Sequence, residues 1–258
     1  MNAITMEHLP KLKDPLLFAA FEGWNDGGQA ATNSIRHLIK AFGATKFAAI
    51  EPEEFFVFSE NRPTVKWVES GTRQITWQTN DFYHAELPGT DRDVVLLLGT
   101  EPNLKWKTYC DNVVSLAQQV EATRVVTLGG FLADALYTRP VQVNGSSSDL
   151  DWEEKYGLSR SKYEGPTGIV GVLSRALQDY HISSASLWAA VPYYISVPNP
   201  KAVFALLSKL KTIFEFELDL GELQEEAENF DNEINDVVAK DPSVAAYVRE
   251  LKKREFLN

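Results

Sequence analysis

The sequence predicts a layered α/β fold followed by a C-terminal helical hairpin. Short apolar runs alternate along most of the chain with segments whose apolar residues recur at helical spacing, as in layered α/β domains. From residue 215 onward the pattern becomes acidic and helical throughout. We therefore divide the chain into an α/β domain over residues 1–214 and an acidic helical extension over residues 215–258.

The first predicted strand is the apolar run at residues 16–21. A glycine-rich turn at residues 23–28 follows it and supplies a helix N-cap. The helix after this turn has its apolar face at Ala31, Ile35, Leu38 and Phe42. Residues 46–50 form the next predicted strand.

The middle of the chain contains the strongest strand signal, an unbroken apolar run within residues 93–100. Before it, residues 55–83 alternate less cleanly, with β-rich pieces at 64–68 and 73–77 that predict a hairpin or edge strands. After it, a helix is expected whose core face is Trp106, Cys110, Val113, Ala117 and Val120. This spacing predicts that Cys110 is a packed thiol rather than a nucleophile.

Two further strands are predicted at residues 124–130, ending in two glycines, and at residues 140–143. The segment 144–162 is polar and contains three consecutive serines, so we predict an exposed loop. Such a loop is a candidate lid over a ligand crevice.

The last part of the predicted domain is helix, strand, helix. Residues 163–168 open a helix with apolar positions at Ile169, Val172, Leu173, Ala176 and Leu177. Residues 186–191 return as a strand. Asn199 is placed as an N-cap with Pro200 at the first helical position. The buried face of that helix is predicted at Val203, Leu206, Leu207 and Leu210.

The extension has thirteen acidic and five basic residues, which account for most of the charge of the whole chain. Its apolar residues follow a four-three alternation that predicts a narrow seam, formed by Phe216, Leu220, Leu223, Ala227, Phe230, Ile234 and Val237. Asp241 and Pro242 stop this helix and cap a second one, with a seam at Val244, Val248 and Leu251. The hairpin packs either on its own α/β body or on another subunit.

Composition and charge exclude several classes of function. The chain has 258 residues, 44% of them hydrophobic, with a net charge of −11 and a pI of about 4.9. Nucleic acids and anionic membranes are unsuitable partners, because binding them needs clustered Lys and Arg. The single cysteine rules out an intrachain disulfide and a cysteine-rich zinc site. The start lacks a secretory signal and no apolar run approaches a bilayer span of about 20 residues, so a cytoplasmic location is expected.

Most enzyme signatures are missing: there is no nucleophile elbow, zinc-binding His-Glu-x-x-His, phosphate loop or dinucleotide-binding fingerprint. The histidines, at positions 8, 37, 84 and 181, are scattered, so we expect no metal and no cofactor. No nucleophile with an evident base stands near the acidic residues of the strand ends.

Polar clusters nevertheless stand at the ends of predicted strands, where open α/β sheets bind their ligands. The candidate ligand-binding residues are Glu22, Gly23, Trp24, Asn25, Asp26, Gly27, Thr100, Glu101, Gly129, Gly130, Asp134, Gly165, Thr167 and Gly168. Together they predict one glycine-lined crevice, in which the helix N-termini of the first and last clusters would accept a phosphate or carboxylate. The alternative is that these turns need Gly, Asn and Asp for backbone reasons alone.

Several of these motifs, in this order, resemble the proteasome assembly chaperone 2 family. The resemblance is carried by residues 21–31, 128–130, 163–173, 186–194 and 199–202, and spans about residues 15–213. Within the family the chain is similar to the actinobacterial branch, whose acidic helical tail ends in a Tyr-Val-Arg-x-Leu segment, here residues 247–251. The resemblance implies an α/β/α sandwich similar to phosphorylase/hydrolase-like folds, in homo-oligomers that bind proteins rather than catalyse a known reaction.

We therefore expect a non-enzymatic, oligomeric, assembly-chaperone-like protein. Its expected partners are further copies of itself, with a trimer as one candidate, and proteasome or related degradation-pathway proteins. Relatives that dock on the proteasome ring end in hydrophobic-Tyr-any, whereas this chain has Leu257 in place of that tyrosine. The alternative is an enzyme or sensor for a small anionic ligand in the crevice, either phosphorylase/hydrolase-like or an ATP-dependent ligase.

Overall fold

The computed structural model describes residues 3–68, 71–158 and 163–257. Within these ranges, eight strands form one mixed sheet: β1 Ile4–Met6, β2 Leu16–Glu22, β3 Thr45–Ile50, β6 Asn80–Leu87, β7 Arg92–Thr100, β8 Arg124–Ala133, β9 Val143–Ser147 and β10 Ser184–Pro192. The remaining two described strands, β4 Thr64–Trp67 and β5 Arg73–Thr76, pair with each other as a separate antiparallel ribbon. This ribbon confirms the predicted hairpin.

The strand order in the sheet is β1-β3-β6-β7-β2-β8-β10-β9. The four central strands, β7, β2, β8 and β10, are parallel to one another, and the outer strands pair antiparallel. The carboxyl ends of the central strands therefore lie along a single edge of the sheet, which we call the carboxyl edge. It is defined by Glu22, Thr100, Ala133 and Pro192.

Helices cover both faces of this sheet. Their bounds are α1 Ala30–Ala41, α2 Trp106–Gln119, α3 Leu150–Tyr156, α4 Ile169–Asp179, α5 Pro200–Phe214, α6 Gly221–Lys240 and α7 Pro242–Leu257. Along β2, Leu16 and Phe18 pack with α1 and α5, whereas Leu17 and Phe21 pack on the opposite face with α2 and α4. Successive strand residues point to opposite faces, so an unbroken apolar run fits a strand covered on both sides. The predicted three-layer α/β/α sandwich is confirmed.

Local features of the helices agree with the sequence patterns. Asn199 Oδ1 accepts a hydrogen bond from the Ala202 N–H at 3.1 Å, and Pro200 is the first residue of α5, so the predicted N-cap is confirmed. Asp241 caps α7 in the same way through the Ser243 N–H, at 2.8 Å. Cys110 is buried in α2, and burial raises the pKa of its thiol to about 12, as expected of a packed cysteine.

Three parts of the sequence interpretation are wrong. Strand β8 does not end at its two glycines but continues to Ala133. The strand predicted at residues 140–143 begins only at Val143, and its ladder to β10 runs through the serine-rich stretch that was predicted to be a loop. An edge strand tolerates such polar residues because backbone hydrogen bonds, and not side chains, hold it in the sheet. Helix α3 follows, and residues 159–162 of the predicted loop lie outside the described residues.

Two strands of the sheet, β1 and β6, were not predicted. Strand β6 pairs antiparallel with β3 on one side and β7 on the other. Its buried start at Asn80 and Phe82 gives way to half-exposed residues such as His84, so it shows neither a continuous apolar run nor a clean alternation. The position of β6 is determined by its pairing with β3 and β7, and not by a pattern in its own residues.

The C-terminal helices α6 and α7 form a hairpin that packs on the protein's own α/β body. Leu136, Tyr137 and Ile195, from loops at the carboxyl edge, form one buried cluster with residues of the hairpin, namely Phe230, Ile234, Val238, Val248 and Leu251. Packing within the chain therefore accounts for the burial of the apolar seam of the hairpin. No described helix is long and apolar enough to cross a membrane.

The predicted seam of α6 is wrong at both ends. Phe216 precedes the helix and packs into the body beside Phe42, with ring centroids 5.9 Å apart. At the other end Val238 is buried, whereas Val237 is 55% exposed. From Ile234 the predicted seam takes a three-residue step to Val237, whereas the buried stripe takes a four-residue step to Val238, which is closer to the 3.6-residue turn of a straight helix.

Candidate functional site

Parts of all four predicted clusters meet at the carboxyl edge. The turn after β2 contacts β8 through the Gly130 N–H, which donates to the Asn25 carbonyl at 2.8 Å. The same turn meets the loop after β7, where the Glu101 N–H donates to the Glu22 carbonyl at 2.8 Å. The beginning of α4 joins them through the Glu101 side chain. Thr100 closes β7 and donates its N–H to Thr79.

The carboxylate of Glu101 stands at the centre of this arrangement. Its Oε1 accepts hydrogen bonds from the Ile169 N–H at 2.7 Å and from Asn25 Nδ2 at 2.9 Å. Its Oε2 lies 3.4 Å from the Trp24 backbone nitrogen. Ile169 is the first residue of α4, so Glu101 occupies the N-terminus of this helix and interacts favourably with its dipole.

The carboxylate of Asp26 occupies the N-terminus of α1 in the same way. This buried carboxylate accepts from the N–H groups of Ala31 and Thr32 at 2.8 and 3.2 Å, and from the Thr32 hydroxyl at 2.5 Å. Burial raises the pKa of Asp26, while the hydrogen bonds from Thr32 and Ala31 act in the opposite direction. Both helix N-termini that the sequence suggested for an anionic ligand are therefore occupied by carboxylates of the chain itself.

The glycines at this edge permit close packing. A Cβ at Gly168 would clash with the Asn25 side chain, and one at Gly129 would clash with the Trp188 ring. A Cβ at Gly23 would lie 3.1 Å from Glu101 Cβ, and the φ angle of Gly23, +132°, also favours glycine. These contacts agree with the view that the turns need glycine for backbone reasons.

Gly130 approaches Gly27 just as closely, and a Cβ on Gly130 would overlap the Gly27 carbonyl oxygen. Both sides are backbone, which cannot move aside as a flexible side chain can. We expect Gly130→Ala to lower the free energy of unfolding by about 1–3 kcal/mol, measured by urea denaturation. The matched control is Gly221→Ala at the start of α6, where the nearest atom is 3.3 Å away and the change should be neutral or slightly stabilising. Equal stabilities of the two variants would contradict this account.

The remaining predicted residues lie at the margins of the crevice. Gly165 packs against the Tyr163 ring, whose hydroxyl donates to the Pro166 carbonyl at 3.0 Å. Thr167 lies beside Gly168 and faces a small pocket. Asp134 accepts a hydrogen bond from the Tyr247 hydroxyl of α7 at 2.7 Å and contacts the hairpin instead of the other clusters. Among the described residues, no group of three or more His, Cys, Asp or Glu side chains is placed to hold a metal ion.

Comparison with known proteins identifies the family. The sequence model of the PAC2 family matches residues 20–238, well over half of the chain. The chain belongs to the PAC2 family. The resemblance seen in the sequence is thus confirmed, and the match continues past the predicted boundary at residue 214 into α6. The narrower assignment to the actinobacterial branch stays a prediction.

Solved structures of similar proteins share this fold. A PAC2 family protein from Streptomyces avermitilis is 42% identical, with a TM-score of 0.85, and the match covers 91% of this chain and 100% of that one. Rv2125 of Mycobacterium tuberculosis, described as a proteasome-assembly chaperone homologue, is 40% identical over 90% of this chain and 99% of its own, with a TM-score of 0.82. A Corynebacterium glutamicum protein of unknown function, 21% identical, shows the same fold, with a TM-score of 0.88 over 98% of this chain and 97% of that chain. No curated protein matches the chain.

Sequence reasoning about this PAC2 protein missed Trp106. Its spacing marked it only as a core residue of α2, yet it also lines a pocket of about 160 Å³ with Trp24, Glu101, Pro166, Thr167 and Gly168. Its Nε1 donates to the Pro102 carbonyl, at 2.5 Å, which fixes the ring at the pocket wall. The signal in the sequence is its position at the first turn of a helix, directly after one of the polar clusters.

A second group missed from the sequence joins the hairpin of the PAC2 protein to its body. Lys201, on α5, donates to Asp231 of α6 at 2.6 Å, and the Tyr137 hydroxyl donates to Asn235 at 2.5 Å. The rings of Tyr193, Tyr194 and Tyr247 form a cluster in which every pair of centroids lies 4.9–5.8 Å apart. Burial raises the pKa of Tyr194 to about 12, so the hydroxyl of Tyr194 stays neutral at physiological pH.

Proposed function

We propose that this protein is a non-enzymatic, assembly-chaperone-like protein that binds other proteins. One observation carries the proposal: the chain is 40% identical, over 90% of its length, to a mycobacterial protein described as a proteasome-assembly chaperone homologue. The proposed partners are proteasome or related degradation-pathway subunits in the cytoplasm.

The geometry of the carboxyl edge supports protein binding over small-anion chemistry. Asp26 and Glu101 occupy the helix N-termini that an anionic ligand would need. The loops and strand ends of this edge also expose large apolar side chains. We define the carboxyl-edge patch as Trp24, Leu104, Leu132, Tyr193 and Val197, each 46–63% exposed. Exposed Trp, Tyr and Leu side chains gathered at one edge are typical of protein interaction surfaces.

Self-association is part of the proposal, with a trimer as one candidate. The ribbon of β4 and β5 supports it, because Val65, Trp67 and Ile75 share one face and are each more than half exposed. A two-stranded ribbon is marginally stable alone, so an apolar face of this kind is suited to burial against another subunit. Sedimentation velocity at micromolar concentration measures the oligomer directly.

The test is affinity capture of the tagged full-length protein from its native lysate, followed by mass spectrometry. We expect proteasome or degradation-pathway subunits to be enriched by the wild type and lost with the variant Leu132→Ser/Tyr193→Ser in the carboxyl-edge patch. The variant Val65→Ser/Ile75→Ser, on the ribbon, is the matched control and should retain these partners even if it loses self-association. Recovery of the bait alone by the wild type would contradict the assembly role.

One observation favours the alternative of an enzyme or sensor. A cavity of about 340 Å³ lies between the body and α6, and Arg139 and Lys201 are among the residues that line it. This volume falls within the range of small-ligand sites. If the capture recovers only the protein itself, small phosphate and carboxylate compounds should be screened against this cavity and the crevice.

A further inference from the structure

We propose that the pocket between Trp24 and Trp106 binds a lysine or arginine side chain of a partner protein. The inference rests on the proposed function and specifies the chemistry of the partner. Two indole side chains and the Glu101 carboxylate line this pocket of about 160 Å³, together with Pro166, Thr167 and Gly168. Aromatic walls with a carboxylate are a receptor for a cation, since the ring face and the carboxylate both attract positive charge.

The hydrogen bonds of Glu101 leave part of its carboxylate available. Oε1 accepts from Asn25 and Ile169, at 2.9 and 2.7 Å. Oε2 has one described contact, the Trp24 nitrogen at 3.4 Å, which is longer than the usual 2.7–3.2 Å for such a bond. All three donors are uncharged, and no ion pair between described residues includes Glu101.

The same chain shows how this chemistry works elsewhere. The guanidinium carbon of Arg124 lies 3.7 Å from the centroid of the Trp152 ring, and its Nη2 is 2.5 Å from the Asp149 carboxylate. An indole ring and a carboxylate thus hold one cation between them. Trp24 and Glu101 present the same two groups at the carboxyl edge, and no described Lys or Arg side chain lies over the Trp24 or Trp106 ring.

The position of the pocket suits a side chain delivered by another protein. Trp24 is 63% exposed, whereas Gly168, which lines the same pocket, is buried, so a long side chain can enter past Trp24 from the surface. Trp24 also belongs to the carboxyl-edge patch, which places the cation site beside an apolar contact area. The net charge of −11 favours the approach of a basic partner segment.

The test uses three capped tripeptides as probes: acetyl-Gly-Lys-Gly-amide, acetyl-Gly-Arg-Gly-amide and the neutral acetyl-Gly-norleucine-Gly-amide. Binding to the full-length protein is followed by NMR through the indole N–H signals of Trp24 and Trp106, assigned with Trp→Phe variants. We expect saturable shifts of both signals with the two cationic peptides and at least fivefold weaker binding of the norleucine peptide. The Trp67 signal, from the ribbon, should not move.

Glu101→Gln is the central variant, because it removes the charge and keeps an oxygen to accept from Asn25 and Ile169. It should weaken binding of the cationic peptides at least fivefold and leave the norleucine peptide unchanged. Trp24→Leu, at an exposed position that does not threaten folding, should also abolish the preference for cations. Equal binding of all three peptides by the wild type would overturn the proposal.

Arg160 and Lys162 are basic residues that shortly precede Pro166 in the sequence. If the peptides bound only after Arg160→Gln/Lys162→Gln, the proposal would also be overturned, because the pocket would then serve cations of this chain. The peptide test does not depend on which partner the capture experiment finds. If the peptides bind as expected and no degradation-pathway subunit is captured, the proposed function fails and the cation pocket stands. If the subunits are captured and the peptides fail to discriminate, only the pocket proposal fails.

Discussion

Phe230→Ala is expected to detach the α6–α7 hairpin from the α/β body while the body stays folded. Phe230 is 5% exposed and contacts both the hairpin and the loops at the carboxyl edge. Truncation of a buried phenylalanine costs about 3–5 kcal/mol, and the packing of two short helices on a loop surface cannot absorb such a loss. Limited proteolysis should cut rapidly within residues 221–257, and hydrogen exchange should increase there and not in β2 or β7.

The control for this variant lies on the same helix. Val237 is 55% exposed, so Val237→Ala should change the free energy of unfolding by less than about 0.5 kcal/mol and leave the proteolysis rate as in the wild type. Val238→Ala, one residue further, removes a buried side chain and should accelerate cleavage. If Val237→Ala were the more damaging of the two, the strict heptad seam would describe α6 better than the observed packing.

The heptad error shows where sequence reasoning about this fold succeeds and where it stops. Patterns of apolar residues predicted β2, β7 and most helices, because these elements are buried on a full face or on both faces and their period is visible locally. Strand β6 and the polar strand β9 were not predicted correctly. Each is held by pairing with neighbours distant in sequence, and its own residues carry little signal.

In the candidate site, too, some features could be predicted from local sequence and others depend on contacts between distant residues. The chain positions of its residues could be predicted, because turns after parallel strands gather at one edge of the sheet. The roles of Asp26 and Glu101 could not. Glu101 caps a helix that begins 68 residues later, and no local pattern encodes such a pairing. An acidic residue of this kind looks the same in the sequence whether it serves as a catalyst, a ligand receptor or a cap.

Asp26→Ala is expected to lower the free energy of unfolding by about 3 kcal/mol. The buried carboxylate accepts three hydrogen bonds, from the N–H groups of Ala31 and Thr32 and from the Thr32 hydroxyl. Alanine would leave these donors at the start of α1 without a partner, and each buried donor left unpaired costs about 1–3 kcal/mol. Part of this loss is recovered by water entering the space. Urea denaturation followed by far-UV circular dichroism measures the change.

Asp26→Asn separates the charge of this group from its hydrogen bonds. Burial raises the pKa of Asp26 above 3.8, so the folded protein holds this proton more tightly than the unfolded chain. The resulting stabilisation is complete below pH 3.8 and is lost as the pH rises through the folded-state pKa. Asparagine does not titrate, so the stability of the wild type relative to Asp26→Asn should fall as the pH rises above 3.8. A relative stability that rises with pH would show that the hydrogen bonds to the ionised carboxylate outweigh its burial, and Asp26 would then stabilise α1 chiefly as a charged cap.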